Sequence, residues 1–206
     1  MEILTNGIKK ERKMSRESIL NAVKKNKPEL LPLPEINLGI FEDDVKLLDT
    51  FIDNLKFVGG QAIQLEAIEQ IDAEIKKRYP NASKIVSCVE ESKLGTISIS
   101  KDTDPHTLEA IDLAIIKGEL AVAENGAVWI SENDFTIRAL PFITNDLILV
   151  VSKNDIYLHM HHVYEVISKR DRTFGVFISG PSKTADIEQC LVVGAHGAMS
   201  LTVLIV

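Results

Sequence analysis

Cysteine, aromatic residues and long apolar runs are all scarce in this chain of 206 residues. The two cysteines, Cys88 and Cys190, form no C-x-x-C pair, so we expect neither a structural zinc site nor an iron–sulfur cluster held by this chain. No apolar run approaches the roughly 20 residues that a membrane-spanning helix requires. The net charge is -7, which is a poor match to nucleic acid because phosphate binding needs a basic face. These absences predict a soluble globular protein with no membrane span, no nucleic-acid partner and no bound metal or cofactor.

The first forty residues differ in character from the rest of the chain. Residues 1–13, MEILTNGIKKERK, are polar and lack an apolar export segment, so a cytoplasmic location is expected. With Met14 as an internal start, they are predicted to be a disordered or artefactual extension. Residues 14–40 predict a helix that begins at Ser15, followed by an extended Pro-rich linker. Residues 41–206 predict a single α/β domain.

Helices and strands are predicted to alternate within that domain. Apolar residues recur at steps of three and four over residues 42–57, 66–78 and 156–170, which predicts three helices. Short apolar segments between and after them predict strands, namely QAIQL, KIVSCV, DLILVVS, FGVFIS and LTVLIV. The segment IDLAIIKGELAVAENGAVWIS predicts successive strands with tight connections at Gly118 and Asn125-Gly126. Because several strands are apolar on both faces, the pattern predicts a three-layer α/β/α sandwich.

The loop GPSKT, residues 180–184, is the first candidate binding element. It follows a predicted strand that ends at Ser179, and ligands of open α/β sheets collect beyond the carboxyl ends of strands. The exposed amides of a helix predicted from about Ala185 favour an anion, and the loop supplies Gly180, Ser182, Lys183 and Thr184. Asp186 and Glu188 already complement the helix dipole and compete with a bound anion. A helix cap made by Thr184 therefore stays open as the alternative.

Two further candidates are single side chains on loops. His196 lies between small residues in GAHGA, where a histidine that titrates near neutral pH suits general acid–base catalysis. The alternative is a histidine that only hydrogen-bonds the backbone. Glu124 ends a strand before the tight turn Asn125-Gly126, where it could act as a nucleophile or base, or simply be solvated.

A pair of histidines is a weaker candidate. His159 and His162 are spaced for one face of the helix predicted over residues 156–170, an arrangement that can chelate a metal. No third ligand is evident in the sequence, so no metal site is predicted here.

The stretch SGPSKTADIEQCLVVGAHG resembles the signature of the LUD-domain family, of the lactate-utilisation protein C type. That pattern runs G-P-S-x-T-A-D-I-E and then G-x-H-G-P. The matching residues are Gly180, Pro181, Ser182, Thr184, Ala185, Asp186, Ile187, Glu188, Gly194, His196 and Gly197, and Ala198 replaces the last proline. MSRESIL with the Pro-Leu-Pro segment is similar to the family's amino terminus, and AENGAVWIS is similar to its A-E-T-G-T strand and turn.

The resemblance implies a Rossmann-like fold of the ribose-phosphate isomerase and CoA-transferase group. It also implies a part in the oxidation of L-lactate to pyruvate beside partner proteins that carry iron–sulfur clusters, with a small organic acid or a partner bound at residues 180–197. Glu124 and His196 are then the candidate catalytic residues. Asn125, Gly126, Gly180, Ser182, Lys183, Thr184, Asp186, Glu188 and Gly197 are the candidate ligand-binding residues.

Two other functions stay open. AENG is also similar to the S-E-N-G motif of CoA transferases, which would make Glu124 the nucleophile of a stand-alone transferase or isomerase. The third alternative is a structural or regulatory module in which the motif only builds the fold. The substrate and the oligomeric state, with a homodimer as one option, are not fixed by the sequence.

Overall fold

The computed structural model describes residues 15–32, 34–41, 44–171, 173–183, 193 and 196–206. The predicted extension, residues 1–13, lies outside this part of the chain. The chain divides after Asn37 into two compact units. In the first unit, helix α1 (Arg16–Lys25) begins after Ser15, whose hydroxyl accepts a hydrogen bond from the Ser18 N–H at 3.2 Å. The predicted helix cap at Ser15 is therefore confirmed.

The second unit contains nine strands and four α-helices among the described residues. The strands are β1 (Gln61–Gln64), β2 (Ile85–Ser87), β3 (Leu113–Lys117), β4 (Leu120–Val122), β5 (Ala127–Ser131), β6 (Asp146–Val151), β7 (Ile156–Tyr157), β8 (Gly175–Ile178) and β9 (Ser200–Ile205). The helices are α2 (Leu47–Phe57), α3 (Ile71–Arg78), α4 (Leu140–Ile143) and α5 (Met160–Ser168). Short 3-10 helices lie at Leu38–Phe41, Ile68–Gln70, Pro105–Leu108 and Lys153–Asp155.

All three helices predicted from apolar spacing exist, but each begins later than predicted. The first begins at Leu47 rather than 42, and the second begins as the 3-10 turn Ile68–Gln70. The third differs most, because Ile156–Tyr157 forms strand β7 and the helix begins only at Met160. Pairing of Ile156 with Ala121 in a neighbouring strand overrides the local helical pattern.

A five-stranded sheet forms the centre of the domain. Its strand order is β1-β9-β6-β3-β2, and every neighbouring pair is parallel. Successive residues of a strand point to opposite faces, so both faces of this sheet are apolar and need a cover. Phe51 and Leu55 of α2 pack on one face, and Ile71 and Ile75 of α3 pack on the other.

A second sheet, with strand order β7-β4-β5-β8, lies on the α2 side of the first. The chain passes from one sheet to the other at Gly118, between β3 and β4. An ideal Cβ at Gly118 would lie 2.5 Å from Val128 Cγ1, so the crossing requires a residue without a side chain. The other face of the second sheet is covered by Val163 of α5. The structure confirms the predicted α/β class with helices on both sides of a parallel sheet, and it adds this second sheet.

Among the described residues, no helix is both long and apolar enough to cross a membrane.

Candidate functional site

The turn at Glu124–Gly126 lies directly on the backbone of α2. The Asn54 side-chain amide donates a hydrogen bond to the Ala123 carbonyl at 2.7 Å. Gly126 has a φ of 64°, and an ideal Cβ there would lie 2.5 Å from the Leu55 nitrogen. The predicted tight turn is therefore present, and both its conformation and its contact with the helix require glycine.

The loop that follows β8 meets the same helix at its carboxyl end. The Ser179 hydroxyl donates to the Asn125 carbonyl at 2.7 Å, which joins this loop to the turn. Gly180 has a φ of 75°, and an ideal Cβ would lie 2.4 Å from the Val58 carbonyl oxygen. The Lys183 ammonium donates to that same oxygen at 2.5 Å. Lys183 thus neutralises the negative end of α2.

Ser182 connects the loop to the His-Gly segment of the signature. Its N–H donates to the Ala198 carbonyl at 2.8 Å, and an ideal Cβ at Gly197 would lie 3.2 Å from the Ser182 hydroxyl oxygen. His196 is exposed beside them. Ser182 and His196 both line a cavity of about 230 Å³, which also includes Phe142 of α4.

Glu124 makes its polar contacts at the start of α5. Its Oε2 accepts a hydrogen bond from His159 Nδ1 at 2.7 Å, and its Oε1 accepts one from the Met160 N–H at 2.6 Å. Partial burial raises the pKa of Glu124, but these two hydrogen bonds outweigh it and hold the pKa below the ordinary 4.5. An ionised carboxylate at a helix amino terminus is stabilised by the helix dipole. Both oxygens of Glu124 therefore bind the first turn of α5.

His159 precedes α5, in an extended conformation, and does not share a helical face with His162 as the spacing predicted. The two imidazole rings are nevertheless close, with centroids 5.9 Å apart. Within the described ranges, no group of three or more His, Cys, Asp or Glu side chains is arranged to hold a metal ion.

The structure brings most of the predicted site residues together around the carboxyl end of α2. They are Glu124, Asn125, Gly126, Gly180, Ser182 and Lys183, with His196 and Gly197 joined to them through Ser182. Glu124 lies outside the lining of the cavity that contains His196. Thr184, Asp186 and Glu188, and the helix predicted from about Ala185, fall outside the described residues.

The sequence predicted that this site would lie beyond the carboxyl ends of the strands of the sheet, and the structure places it elsewhere. Strand β8 belongs to the second sheet and is antiparallel to β5. The loop after its carboxyl end contacts Ala198 through the Ser182 N–H, and the next residue, Met199, donates its N–H to the Asn145 carbonyl just before β6. The site therefore lies at the amino edge of the parallel sheet, since β6 and β9 both begin there.

A second group of polar residues, none of them predicted as a site from the sequence, lies at the opposite edge. Glu119, Asp134 and Arg170 line a cleft there with Lys117. Lys117 ends the buried strand β3 and Glu119 lies two residues beyond it, a position that could have drawn attention to both. Arg170 carries no local signal, because its partner Glu119 is 51 residues away in the sequence. Asp134 accepts hydrogen bonds from Ser131 three residues earlier, which indicates a turn but no binding site.

Comparison with known proteins gives concordant results. The LUD domain family model matches residues 100–206. A lactate utilization protein C from Geobacillus kaustophilus is 32% identical over 104 residues, which cover 48% of this chain and 43% of that protein. Lactate utilization protein C 1 from Bacillus mycoides is 31% identical over 112 residues, covering 52% and 48%. The matches thus span about half the length of these curated relatives.

A solved structure agrees with the fold. The crystal structure of a DUF162 family protein from Deinococcus radiodurans superimposes with a TM-score of 0.61 over 77% of this chain and 95% of that one, at 19% sequence identity. At that identity the likeness concerns the fold alone. The LUD domain match covers more than half of the sequence and includes strands β3 to β9. The chain therefore belongs to the LUD domain family.

Proposed function

We propose that this chain is a non-redox component of an L-lactate utilisation system that converts L-lactate to pyruvate. The observation that carries the proposal is the similarity to proteins named lactate utilization protein C, at 32% and 31% identity. The family match includes the loop after β8 and the His196 segment. The structural convergence of those two segments with the Glu124–Gly126 turn supports a shared site.

Electron transfer belongs to other proteins in this proposal. Oxidation of lactate to pyruvate releases two electrons and two protons, which an acceptor must take up. The chain contains two cysteines, whereas a protein-bound iron–sulfur cluster generally uses four cysteine thiolates. We therefore assign the electron acceptors to iron–sulfur partner proteins that assemble with this chain.

The cavity beside Ser182 and His196 is the proposed binding site for a small hydroxy or keto acid. Its volume of about 230 Å³ lies below the range for drug-sized ligands, about 300–1,000 Å³, and suits a smaller molecule. The Ser182 hydroxyl and the imidazole of His196 supply polar contacts to a carboxylate or hydroxyl group. Phe142 and Leu201 supply apolar walls.

Growth on L-lactate tests the proposal. A strain that lacks this chain should fail to grow on L-lactate and should regain growth when the native chain is supplied. His196→Ala and Ser182→Ala should complement poorly while their expression and thermal stability stay near native. His106→Ala is the matched control, because His106 is an exposed histidine on the Pro105–Leu108 turn, paired only with Asp104 in the described structure.

Affinity purification tests the partner assignment. The tagged chain should retain protein-bound iron and acid-labile sulfide from cells grown on L-lactate, although the purified chain alone binds neither. Normal growth of the deletion strain on L-lactate would contradict the proposed function. Recovery of the chain without iron would contradict the iron–sulfur partners specifically.

A further inference from the structure

Strand β8 forms one edge of the second sheet, and its outer side is open. It lies last in the strand order β7-β4-β5-β8 and pairs with β5 alone. The Glu132 N–H donates to the Phe174 carbonyl at 2.8 Å, so Phe174 and every second residue after it face β5. Gly175 and Phe177 therefore direct their N–H and C=O groups to the outer side. Within the described residues, these backbone groups have no hydrogen-bond partner.

The other three edges of the described sheets are protected. A segment beside β2 covers that strand, since the Thr96 and Ile97 N–H groups both donate to the Ile85 carbonyl. Strand β1 begins with Gln61, whose side chain accepts a hydrogen bond from the Arg78 guanidinium at 3.1 Å, and β7 is only two residues long. Charged side chains and short strands are usual protections of an edge against pairing with another chain. Strand β8, with the sequence GVFI, has neither.

Apolar side chains extend this edge on both faces of β8. Tyr164 of α5 is 53% exposed and contacts the ring of Phe177, with centroids 5.6 Å apart. On the opposite face, Phe142 of α4 is 41% exposed and lines the same cavity as Val176 and Ile178. Partly exposed aromatic residues are enriched at protein interfaces. The open edge is therefore the centre of a larger apolar surface.

A second copy of β8 matches the hydrogen-bonding groups of this edge. In an antiparallel pair, residues whose N–H and C=O groups point toward the partner strand lie opposite one another. A two-fold axis beside Phe177 places Phe177 opposite its copy and Gly175 opposite Ser179, the residue after the strand. About six backbone hydrogen bonds then join the two copies. Such an interface is the same on both subunits and closes at a dimer.

The side chains of β8 also favour pairing of this strand with itself. In this register, Val176 of one copy lies opposite Ile178 of the other on the face toward the parallel sheet. The two Phe177 side chains meet on the other face, so every contact is apolar. Two identical strands place like charges close together, which is destabilising, but β8 contains no charged residue. A strand with charged side chains would gain no counterpart at this edge.

The size of the interface determines the affinity that we expect. A stable protein interface buries about 800 Å² on each partner. A strand of four residues covers only a fraction of that area, and Tyr164 and Phe142 of both copies enlarge it. The interface therefore lies near the lower limit for specific association. We expect a dissociation constant on the order of 10 μM.

We propose that two copies of this chain form a dimer by antiparallel pairing of their β8 edges, which joins the two four-stranded sheets into one continuous sheet. The interface runs beside the proposed acid-binding cavity, because Val176, Ile178 and Ser179 line that cavity. The dimer does not depend on the proposed function. A monomeric chain would leave the growth test above unaffected.

Sedimentation equilibrium of the full chain measures the dimer. The mass should rise from 22.8 kDa toward twice that value between about 1 and 200 μM. Tyr164→Lys should weaken the dimer at least about tenfold, because two positive charges then lie near each other across the two-fold axis. Its fold should persist, since the side chain is half exposed.

Leu47→Lys is the matched control. Leu47 is exposed at the amino end of α2, and α2 contacts β7 at the opposite edge of the second sheet. This variant should dimerise like the native chain. Thermal unfolding of both variants, with midpoints near the native one, verifies that a change in mass does not come from unfolding.

Amide hydrogen exchange, followed by NMR on the ²H,¹⁵N-labelled full chain, tests which groups pair. The amides of Gly175, Phe177 and Ser179 have no acceptor among the described residues of one copy, so dimer formation should slow their exchange at least about tenfold. The amides of Val176 and Ile178 face β5 and should be protected at every concentration. Tyr164→Lys should restore fast exchange at Phe177.

Either of two results would overturn the proposal. The first is a chain that stays monomeric at about 200 μM, even if an iron–sulfur partner protein then protects the Phe177 amide, because the edge would belong to that partner. The second is a dimer that Tyr164→Lys leaves intact and in which Gly175 and Phe177 still exchange fast. That dimer would use another surface.

Discussion

The two edges of the parallel sheet are built on different principles. At the amino edge, the signature loop and the Glu124–Gly126 turn approach the backbone of α2 so closely that Gly126 and Gly180 leave no space for a Cβ. At the carboxyl edge, side chains line an open cleft of about 740 Å³, among them the partly buried Asp134 and the ion pair of Glu119 with Arg170. The first region depends on backbone shape, and the second depends on the placement of charges.

This difference has a consequence for the effects of substitution. Replacement of a residue that fits only because it has no side chain should lower the free energy of unfolding. Replacement of a carboxyl group in an open cleft should change the pH dependence of stability while the fold persists. Different measurements should therefore detect variants at the two edges. Substitution at the amino edge should change the free energy of unfolding, and substitution at the carboxyl edge should change how that free energy depends on pH.

The largest loss of stability is expected for Gly180→Ala. A non-glycine residue at a φ of 75° costs about 1–2 kcal/mol by itself. The new Cβ would also lie 2.4 Å from the Val58 carbonyl oxygen, a backbone atom that can move only with the end of α2. We expect the free energy of unfolding to fall by about 3 kcal/mol or more, measured by chemical denaturation.

Gly95→Ala is the matched control for this substitution. A Cβ at Gly95 would lie 3.4 Å from the Ser87 Cβ, which is an ordinary contact, so the change should stay within about 0.5 kcal/mol. Equal stability of Gly180→Ala and Gly95→Ala would contradict the tight approach to α2. Gly126→Ala should behave like Gly180→Ala, because its Cβ meets the backbone at Leu55.

The amino edge was predictable from the sequence to the extent that its signals are local. The Asn125-Gly126 turn and the strands on either side of it were predicted, because the chemistry that specifies them lies within a few residues. The union of Ser182 with His196 and Gly197, which are more than ten residues away along the chain, was implied only by the family resemblance. The partner of Glu124 was not predicted. His159 is 35 residues away, and the helix pattern that included it was broken by strand β7.

The carboxyl edge was not predicted at all, and the reason is physical. Glu119 directly precedes β4 and Asp134 follows β5, and both lie at the open end of this hairpin because the two strands are antiparallel. Arg170 joins them from beyond α5. No local pattern marks residues that a sheet register brings together, so such a cluster becomes visible only with the topology.

A loss of stability smaller than that for Gly180→Ala is expected for Glu124→Ala, at the junction between the turn and α5. The substitution removes both the acceptor for the Met160 N–H and the anion at the helix amino terminus. Loss of such a cap costs about 1–2 kcal/mol, so the free energy of unfolding should fall by that amount at pH 7. Because the pKa of Glu124 is lowered by folding, this contribution is present above pH 4.5 and is lost as the pH falls through the folded value.

Glu165→Ala within α5 is the control, since Glu165 pairs with the exposed Lys169 one turn away and its loss should cost at most about 0.5 kcal/mol.

The alternative role for Glu124 is that of a CoA-transferase nucleophile. That role predicts covalent labelling of Glu124 by an acyl-CoA, trapped with hydroxylamine. Equal labelling of native chain and Glu124→Gln would exclude it and leave Glu124 as a helix cap.

The smallest effect on stability, and the one that distinguishes the two edges most sharply, is expected for Asp134→Asn. Asparagine keeps an acceptor for the Ser131 N–H, so the fold should persist. The native carboxyl has its pKa raised by folding from 3.8 to about 6. Its protonated form therefore stabilises the fold below pH 3.8, and that contribution is lost as the pH rises to about 6.

Asparagine does not titrate, so the variant should gain stability relative to the native chain as the pH rises from 4.5 to 7. We expect a relative gain of about 1 kcal/mol, well under full linkage because the carboxyl is partly exposed to water. Denaturation of both chains across this pH range measures it. Glu124→Gln should show the opposite sign over acidic pH, because folding lowers the pKa of Glu124. Parallel pH profiles for native chain and Asp134→Asn would contradict the raised pKa of Asp134 in the folded chain.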